Sequence, residues 1–152
     1  MRPGYEFVTL TPSDVPLLKS LMRVFGDAFE DDETYQGAVP ADGYLASLLW
    51  RPHIIVIVAT LQEEVVGGLT AYVLDKFERE RSEIYIYDLA VAAAHRRRGL
   101  ATGLIRTLID VARDRGAYVI FVQADRGDDA AIALYESLGK REDVHHFDVA
   151  VD

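Results

Sequence analysis

The sequence predicts an α/β domain with a mixed sheet and helices on both faces. Three observations carry this. Two β-branched apolar runs, residues 53–61 and 65–74, flank the polar turn Gln62, Glu63 and Glu64, as a hairpin requires. Later strand-like runs, residues 82–91 and 117–123, are separated by an amphipathic helix, so hairpins join the early strands and helices the later ones. Half of the 152 residues are hydrophobic, enough to build one sizeable core, and a single domain over residues 1–152 is expected.

The elements follow in order. Residues 5–10 alternate enough to form a first strand. Thr11, Pro12, Ser13 and Asp14 open a helix, and Val15, Leu18, Leu21, Met22 and Phe25 continue it at helical spacing. Residues 26–40 are polar and acidic and end in a loop, after which Asp42 caps a short helix running to Leu49. The hairpin of residues 53–74 and the long strand 82–91 come next. Leu100, Leu104, Leu108 and Val111 give the next helix an apolar face, and Gly116 stops it. After the β-rich run 117–123, Asp128 caps a helix that Gly139 ends, and residues 144–151 are expected to form a final strand.

Composition narrows the function. The formal charge is −9, from 25 acidic against 16 basic side chains, which opposes binding to a nucleic acid backbone and favours a cationic partner, although it also serves solubility alone. Cysteine is absent, which removes disulfides, thiolate metal sites and a cysteine nucleophile, and fits a reducing, cytoplasmic compartment. No apolar run is long enough to cross a bilayer, and the segment from Met1 to Glu6 lacks the apolar region of a secretion signal. His53, His95, His145 and His146 lack metal-ligand spacing, so no metal is expected.

The most informative stretch is His95, Arg96, Arg97, Arg98, Gly99, Leu100 and Ala101, between a strand and a helix start. Free backbone N–H groups at a helix start, together with the helix dipole, make a seat for a diphosphate. Gly99 lets the backbone approach such a ligand closely, and Thr102 offers a hydroxyl. The plain alternative is a solvated basic turn.

Arg96-x-x-Gly99-x-Ala101 after a strand resembles the acetyl-CoA loop of the GCN5-related N-acetyltransferases. The helix from Ala130 through Leu134 and Tyr135 to Gly139, and the element order, are similar to that family too. The runs from Ser82 to Val91 and from Gly116 to Ile120, with Gln123, Ala124, Asp125, Gly127, Asp128 and Asp129, look closer still to its aminoglycoside 3-N-acetyltransferase branch. The resemblance implies a mixed, mostly antiparallel sheet that splays between the strands at 82–91 and 117–123. It implies that acetyl-CoA lies in that gap, paired with backbone groups of Leu89, Ala90 and Val91, its diphosphate on Arg96, Arg97, Arg98, Gly99, Leu100, Ala101 and Thr102. The acetyl carbonyl would then sit near a backbone N–H that stabilises developing oxyanion charge.

Candidate catalytic residues are Asp88 and Tyr135. Asp88 interrupts an apolar strand, where a carboxylate is costly unless it is paired or functional, and it is suited to bind an ammonium and take its proton. A purely structural carboxylate is the competing reading. By the resemblance, Tyr135 protonates the leaving thiolate; otherwise it is a packing aromatic. Asp128 stands where the family often has Asn, and Lys140 where it has an aromatic, so cofactor contact is not carried onto Asp128. For a polycationic acceptor the candidate readers are Asp88, Asp125, Tyr87, Asp31 and Asp32. Glu33, Glu142, Asp143, Asp148 and Tyr85 are weaker candidates, and Glu83 is read as an exposed or supporting residue.

The function expected is acetyl-CoA-dependent acetylation of an aminoglycoside, at the 3-amino group by the resemblance, through direct attack in a ternary complex. A polyamine or protein amino group is the nearest alternative acceptor, and a non-catalytic acyl-CoA-binding module is the alternative of another class. Neither a nucleic acid nor a membrane is an expected partner, and an apolar strand at 144–151 permits a homodimer.

Overall fold

The computed structural model describes residues 4–152. The expectation that Met1 to Glu6 carries no secretion signal rests partly on residues outside this range. The elements are β1 (Tyr5–Thr9), α1 (Val15–Ala28), α2 (Asp32–Gln36), α3 (Asp42–Trp50), β2 (Ile54–Leu61), β3 (Glu64–Lys76), β4 (Arg81–Val91), α4 (Leu100–Asp114), β5 (Ala117–Val122) and α5 (Asp129–Leu138). A single 3-10 turn, Pro12–Asp14, leads into α1. Its entry is fixed by the Thr11 N–H, which donates to the Asp14 carboxylate at 2.8 Å.

The five strands lie in the order β1-β2-β3-β4-β5. Pairing is antiparallel from β1 through β4 and parallel between β4 and β5. The change follows from the connections. Tight turns reverse the chain between β2 and β3 and between β3 and β4, the segment carrying α1, α2 and α3 does so between β1 and β2, and α4 carries the chain back to the same end of the sheet before β5. Among the described residues no helix is long and apolar enough to cross a membrane.

Each face of the sheet carries its own core. On one, Leu100, Leu104 and Leu108 of α4 pack over Ile55, Ile57, Leu69, Ile84 and Ile86. A Cβ on Gly103 would lie 2.3 Å from the Phe7 ring, so glycine there lets α4 close down on β1. On the other face, Leu18, Leu21 and Phe25 of α1 and Leu45 and Leu49 of α3 cover Val56 and Val58. Strand β2 is covered on both sides, which is why its sequence is continuously apolar rather than alternating.

The acidic stretch after α1 ends in a loop as expected and also contains a helical turn and a half, α2, begun where the Asp31 carboxylate accepts from the Thr34 N–H at 3.2 Å. Two expectations are corrected. Asp42 does not cap α3; Ala41 holds that position, and Asp42 lies in the first turn, ion-paired with Lys19. Residues 144–151 form no strand and pair with nothing, and every residue from 140 to 152 is exposed. A strand is a property of a pair, so alternation alone could not supply it.

Two irregularities in β4 shape its end. Thr70 pairs with Asp88 but Ala71 pairs with Ile86, which leaves Tyr87 as an extra, bulged residue. The bulge inverts the side-chain alternation. Before it, the even residues Ile84 and Ile86 face α4. After it, Leu89 and Val91 do, while Ala90 turns to the α1 side. Pairing of β4 with β5 ends at Ile86 and Val122. Beyond that point the β5-facing backbone edge of Tyr87–Val91 has no strand partner, which opens the splay.

Candidate active site

Asp88 sits just past the bulge, half-buried, on the face opposite α4. Its carboxylate accepts hydrogen bonds from the Tyr35 hydroxyl at 2.8 Å and the Thr70 hydroxyl at 2.9 Å, one on each oxygen. Two neutral donors fix the carboxylate without neutralising it. Each oxygen keeps lone-pair capacity for a cationic group arriving from solvent. Neither Tyr35 nor Thr70 emerged from the sequence reading. Tyr35 is held by Phe25 and Phe29, with ring centroids 5.7 Å from each. Burial and the facing Asp88 carboxylate push its hydroxyl well above the ordinary tyrosine range, so it remains a donor.

An aromatic wall adjoins this carboxylate. Tyr85 stacks on Phe121 with centroids 4.8 Å apart, and Tyr87 meets both Tyr85 and Tyr72 edge-on. Tyr87 is 63% exposed, so its ring is available to a ligand. The Tyr85 hydroxyl donates to the Gln123 side chain at 2.9 Å, which ties β4 to the end of β5. Burial raises the Tyr72 and Tyr85 hydroxyls, and the Asp88 charge adds to the shift in both.

The other acidic candidates divide. Asp31 is engaged in capping α2 and so acts on Asp88 indirectly, by holding the helix that carries Tyr35. Asp32 is exposed, and its carboxylate oxygen packs close to Gly26. Asp125 is exposed on the loop after β5. Glu83 is paired with Lys76 at 2.9 Å, a structural arrangement that lowers its pKa. Asp143 and Asp148 bind Arg141 and His146 within the exposed tail, and Glu142 lies there too. Their contacts are local to that tail.

The basic loop is built at the start of α4. Residues 93–95 form a 3-10 turn, Arg97 has φ +60°, and Gly99 has φ +79° at the helix N-cap. No atom lies within 4 Å of the point where a Gly99 Cβ would be. Conformation, and not crowding within the protein, therefore selects glycine here. The first helical bond runs from the Gly103 N–H to the Gly99 carbonyl at 2.9 Å, so the N–H groups of Leu100, Ala101 and Thr102 precede the helix's own ladder. Two of the three arginines turn back into the fold. Arg96 donates to the Val91 carbonyl at 3.0 Å and Arg98 to the Tyr5 hydroxyl at 3.1 Å. Tyr5 is in turn bonded to His95 at 2.8 Å. The arginines thus brace the loop, and backbone N–H groups are what it presents to an anion.

Tyr135 lies on α5, whose start is capped by Asp128 accepting from the Ala131 N–H at 3.2 Å. It packs with Leu134 and Leu138 against the α4-side core. Burial is the main cause of its raised hydroxyl pKa, with the Asp128 charge second, so the phenol stays protonated at neutral pH. A hollow lined by Asp75, Lys76, Arg81, Ser82 and Arg115 lies at the opposite end of β4, away from these groups. Among the described residues no cluster of His, Asp or Glu could hold a metal ion.

This splayed sheet and glycine-capped loop have known counterparts. The model of the acetyltransferase (GNAT) family matches residues 18–140. The chain belongs to that family. An aminoglycoside acetyltransferase, HMB0005, from an uncultured soil metagenomic sample is 53% identical, with a TM-score of 0.96 over 97% of this chain and 99% of that one. A second soil metagenomic aminoglycoside acetyltransferase, meta-AAC0020, solved in complex with sisomicin, is 33% identical with a TM-score of 0.91, over 98% of this chain and 97% of the other. Among curated relatives, human N-acetyltransferase 8 is 34% identical over 54% of this chain. The Escherichia coli [ribosomal protein bS18]-alanine N-acetyltransferase is 36% identical over 49% of it. The match spans 36% of the human protein and 46% of the bacterial one, so less than half the length of either.

Proposed function

We propose that the protein is an acetyl-CoA-dependent aminoglycoside N-acetyltransferase that modifies the 3-amino group of its acceptor and confers resistance. The observation that carries this reading is the Asp88 carboxylate, held by Tyr35 and Thr70 beside an exposed aromatic wall at the mouth of the splay. Strong similarity to aminoglycoside acetyltransferases over nearly the whole chain supports the acceptor class. The net charge of −9 suits a polycationic acceptor as well. The 3-amino position rests on the resemblance of β4 and the 123–129 loop to that branch.

The residues present fit the donor. The α4 N-terminus and Gly99 offer unused N–H groups for a diphosphate, and the unpaired edge of Leu89, Ala90 and Val91 offers strand-like pairing for the pantetheine arm. When bound, acetyl-CoA supplies an activated acetyl thioester. The Asp88 carboxylate binds the acceptor ammonium and takes its proton, directly or through water, leaving an amine free to attack. A backbone N–H of the 89–91 segment receives the oxyanion charge that develops. Tyr135 would donate its phenolic proton to the departing sulfur and be reprotonated by the second proton that the acylated nitrogen gives up. With no cysteine in the chain, direct attack within a ternary complex is the simplest route. Loss of an ammonium charge from the drug would weaken its hold on ribosomal RNA phosphates.

Purified protein mixed with acetyl-CoA should release CoA when gentamicin is added, and NMR of the product should place the acetyl group on N3. The competing acceptors are spermidine and peptide amino termini, the latter favoured by the partial match to the bS18-alanine enzyme. Turnover of either without turnover of any aminoglycoside would sink the proposal.

A further inference from the structure

The basic loop leans on side chains rather than on its own backbone. Arg97 and Gly99 are both left-handed, at φ +60° and φ +79°. Among the described residues, the N–H groups of Arg97, Arg98 and Gly99 make no backbone hydrogen bond within the protein. A left-handed arginine persists only where its surroundings fix it, so other contacts must hold this turn. Arg96 reaches back to the Val91 carbonyl, at the end of the strand just before the loop. Arg98 reaches much further, to the Tyr5 hydroxyl on β1, three strands away from β4.

Tyr5 is built as a fixed post. Its side chain is 5% exposed and belongs to the core that α4 covers, and β1 holds it opposite Leu61. The His95 ring stands edge-on to it, with centroids 5.9 Å apart and planes at 90°. The donors and acceptors have one consistent arrangement. A guanidinium only donates, so the Tyr5 oxygen accepts from Arg98 at 3.1 Å. The phenolic proton then goes to His95 Nδ1 at 2.8 Å, and the imidazole carries its own proton on Nε2. One phenol thus grips the loop on both sides of Arg97, at residue 95 and at residue 98.

We propose that Tyr5 is a positioning residue for the donor, an inference that rests on the reading of this loop as the acetyl-CoA seat. By holding His95 and Arg98, it keeps the Arg97–Gly99 turn in the shape that offers the N–H groups of Leu100, Ala101 and Thr102 to a diphosphate. It acts through the loop and takes no part in the chemistry at Asp88. It is also independent of which amine is the acceptor.

The test is Tyr5→Phe, which keeps the ring in the core and removes only the hydroxyl. Calorimetry with acetyl-CoA alone should show Kd raised about tenfold, the loss expected for one hydrogen bond to a charged group. The acetyl-CoA KM should rise with it, while kcat at saturation and the gentamicin KM stay within about twofold. Arg98→Ala, made at an exposed side chain, should weaken acetyl-CoA binding in the same way. The two substitutions together should raise Kd by less than the product of their separate effects, because they break one link. An unchanged Kd in Tyr5→Phe overturns the proposal, and so does full multiplication in the double variant. A lower Kd overturns it too, since the bond would then be withholding Arg98 from the ligand. A higher Kd accompanied by a matching fall in kcat and in Tm marks a merely structural role and also overturns it. Wild-type protein that binds no acetyl-CoA overturns the donor reading itself, and this inference with it.

Discussion

The basic loop and the carboxylate cradle sit at the same end of β4 but are built by opposite means. The loop is contiguous. Arg96 to Thr102 supply the strand exit, the left-handed glycine and the helix start within one turn of chain. The cradle is assembled from afar: Asp88 from β4, Thr70 from β3, and Tyr35 from a five-residue helix 53 positions upstream. A contiguous device binds whatever carries its ligand group and is indifferent to the rest of the molecule. An assembled one depends on the whole fold and can be tuned without touching the loop. Donor recognition and acceptor chemistry are therefore separable here, and substitutions should split along that line.

Asp88→Asn should produce the largest effect. It keeps the shape but removes the proton acceptor, so kcat should fall by about 10² to 10⁴. Acetyl-CoA affinity by calorimetry should stay within about twofold, since the loop is untouched. Equal activity would remove Asp88 as the base. Tyr135→Phe should follow, with a loss of about 10² in kcat carried by the thiolate-leaving step. Because burial raises the Tyr135 hydroxyl, its proton should still be in place at about pH 9, below the ordinary tyrosine value. The wild-type rate should show no alkaline fall in that range that Tyr135→Phe abolishes.

Tyr35→Phe sharpens the comparison from the cradle side. Loss of one hydrogen bond to a carboxylate, worth about 1.5–3 kcal/mol, should cut kcat/KM for the aminoglycoside by roughly ten- to a hundredfold. Calorimetric binding of acetyl-CoA should be unaffected. Gly99→Ala probes the other side. Forcing an L-residue to φ +79° costs about 1–2 kcal/mol, so the acetyl-CoA Kd should rise by about five- to thirtyfold while kcat at saturation holds. A change in kcat with unchanged Kd would break the division proposed here. Asp31→Ala should be the mildest. Loss of the α2 cap costs about 1 kcal/mol, which lowers Tm by roughly 2–4 °C and weakens acceptor turnover only through Tyr35.

Legibility follows the same divide. The order of strands and long helices could be read because each has its own periodicity and its own stop, such as Gly116 after α4. The loop was readable for the same reason. Tyr35 was not, because its meaning depends on a partner in β4, and the short helix carrying it is too brief to show a period. A signal was present in the Asp31-x-x-Thr34 cap, and Phe25, Phe29 and Tyr35 were there to be grouped. The bulge at Tyr87 left no mark, since no glycine announces it. The terminal segment misled in the other direction. Its alternation predicts a strand, but a strand needs an edge to pair with, and residues 144–151 pair with none in the described chain.

The single extra residue at Tyr87 also constrains how the chain can evolve. Ile84 and Ile86 set a parity that would aim residue 88 into the apolar layer beneath α4, and the surplus residue switches that parity. Exchanges of one amino acid for another cannot undo such a switch, because they leave the count unchanged. Excision of the Tyr87 codon would instead make Ile86 and Asp88 neighbours, restoring strict alternation with Asp88 still opposite Thr70. The bulge therefore lets two successive residues, Tyr87 and Asp88, stand on the same side of the sheet, and shortening the strand there sacrifices the ring and spares the carboxylate.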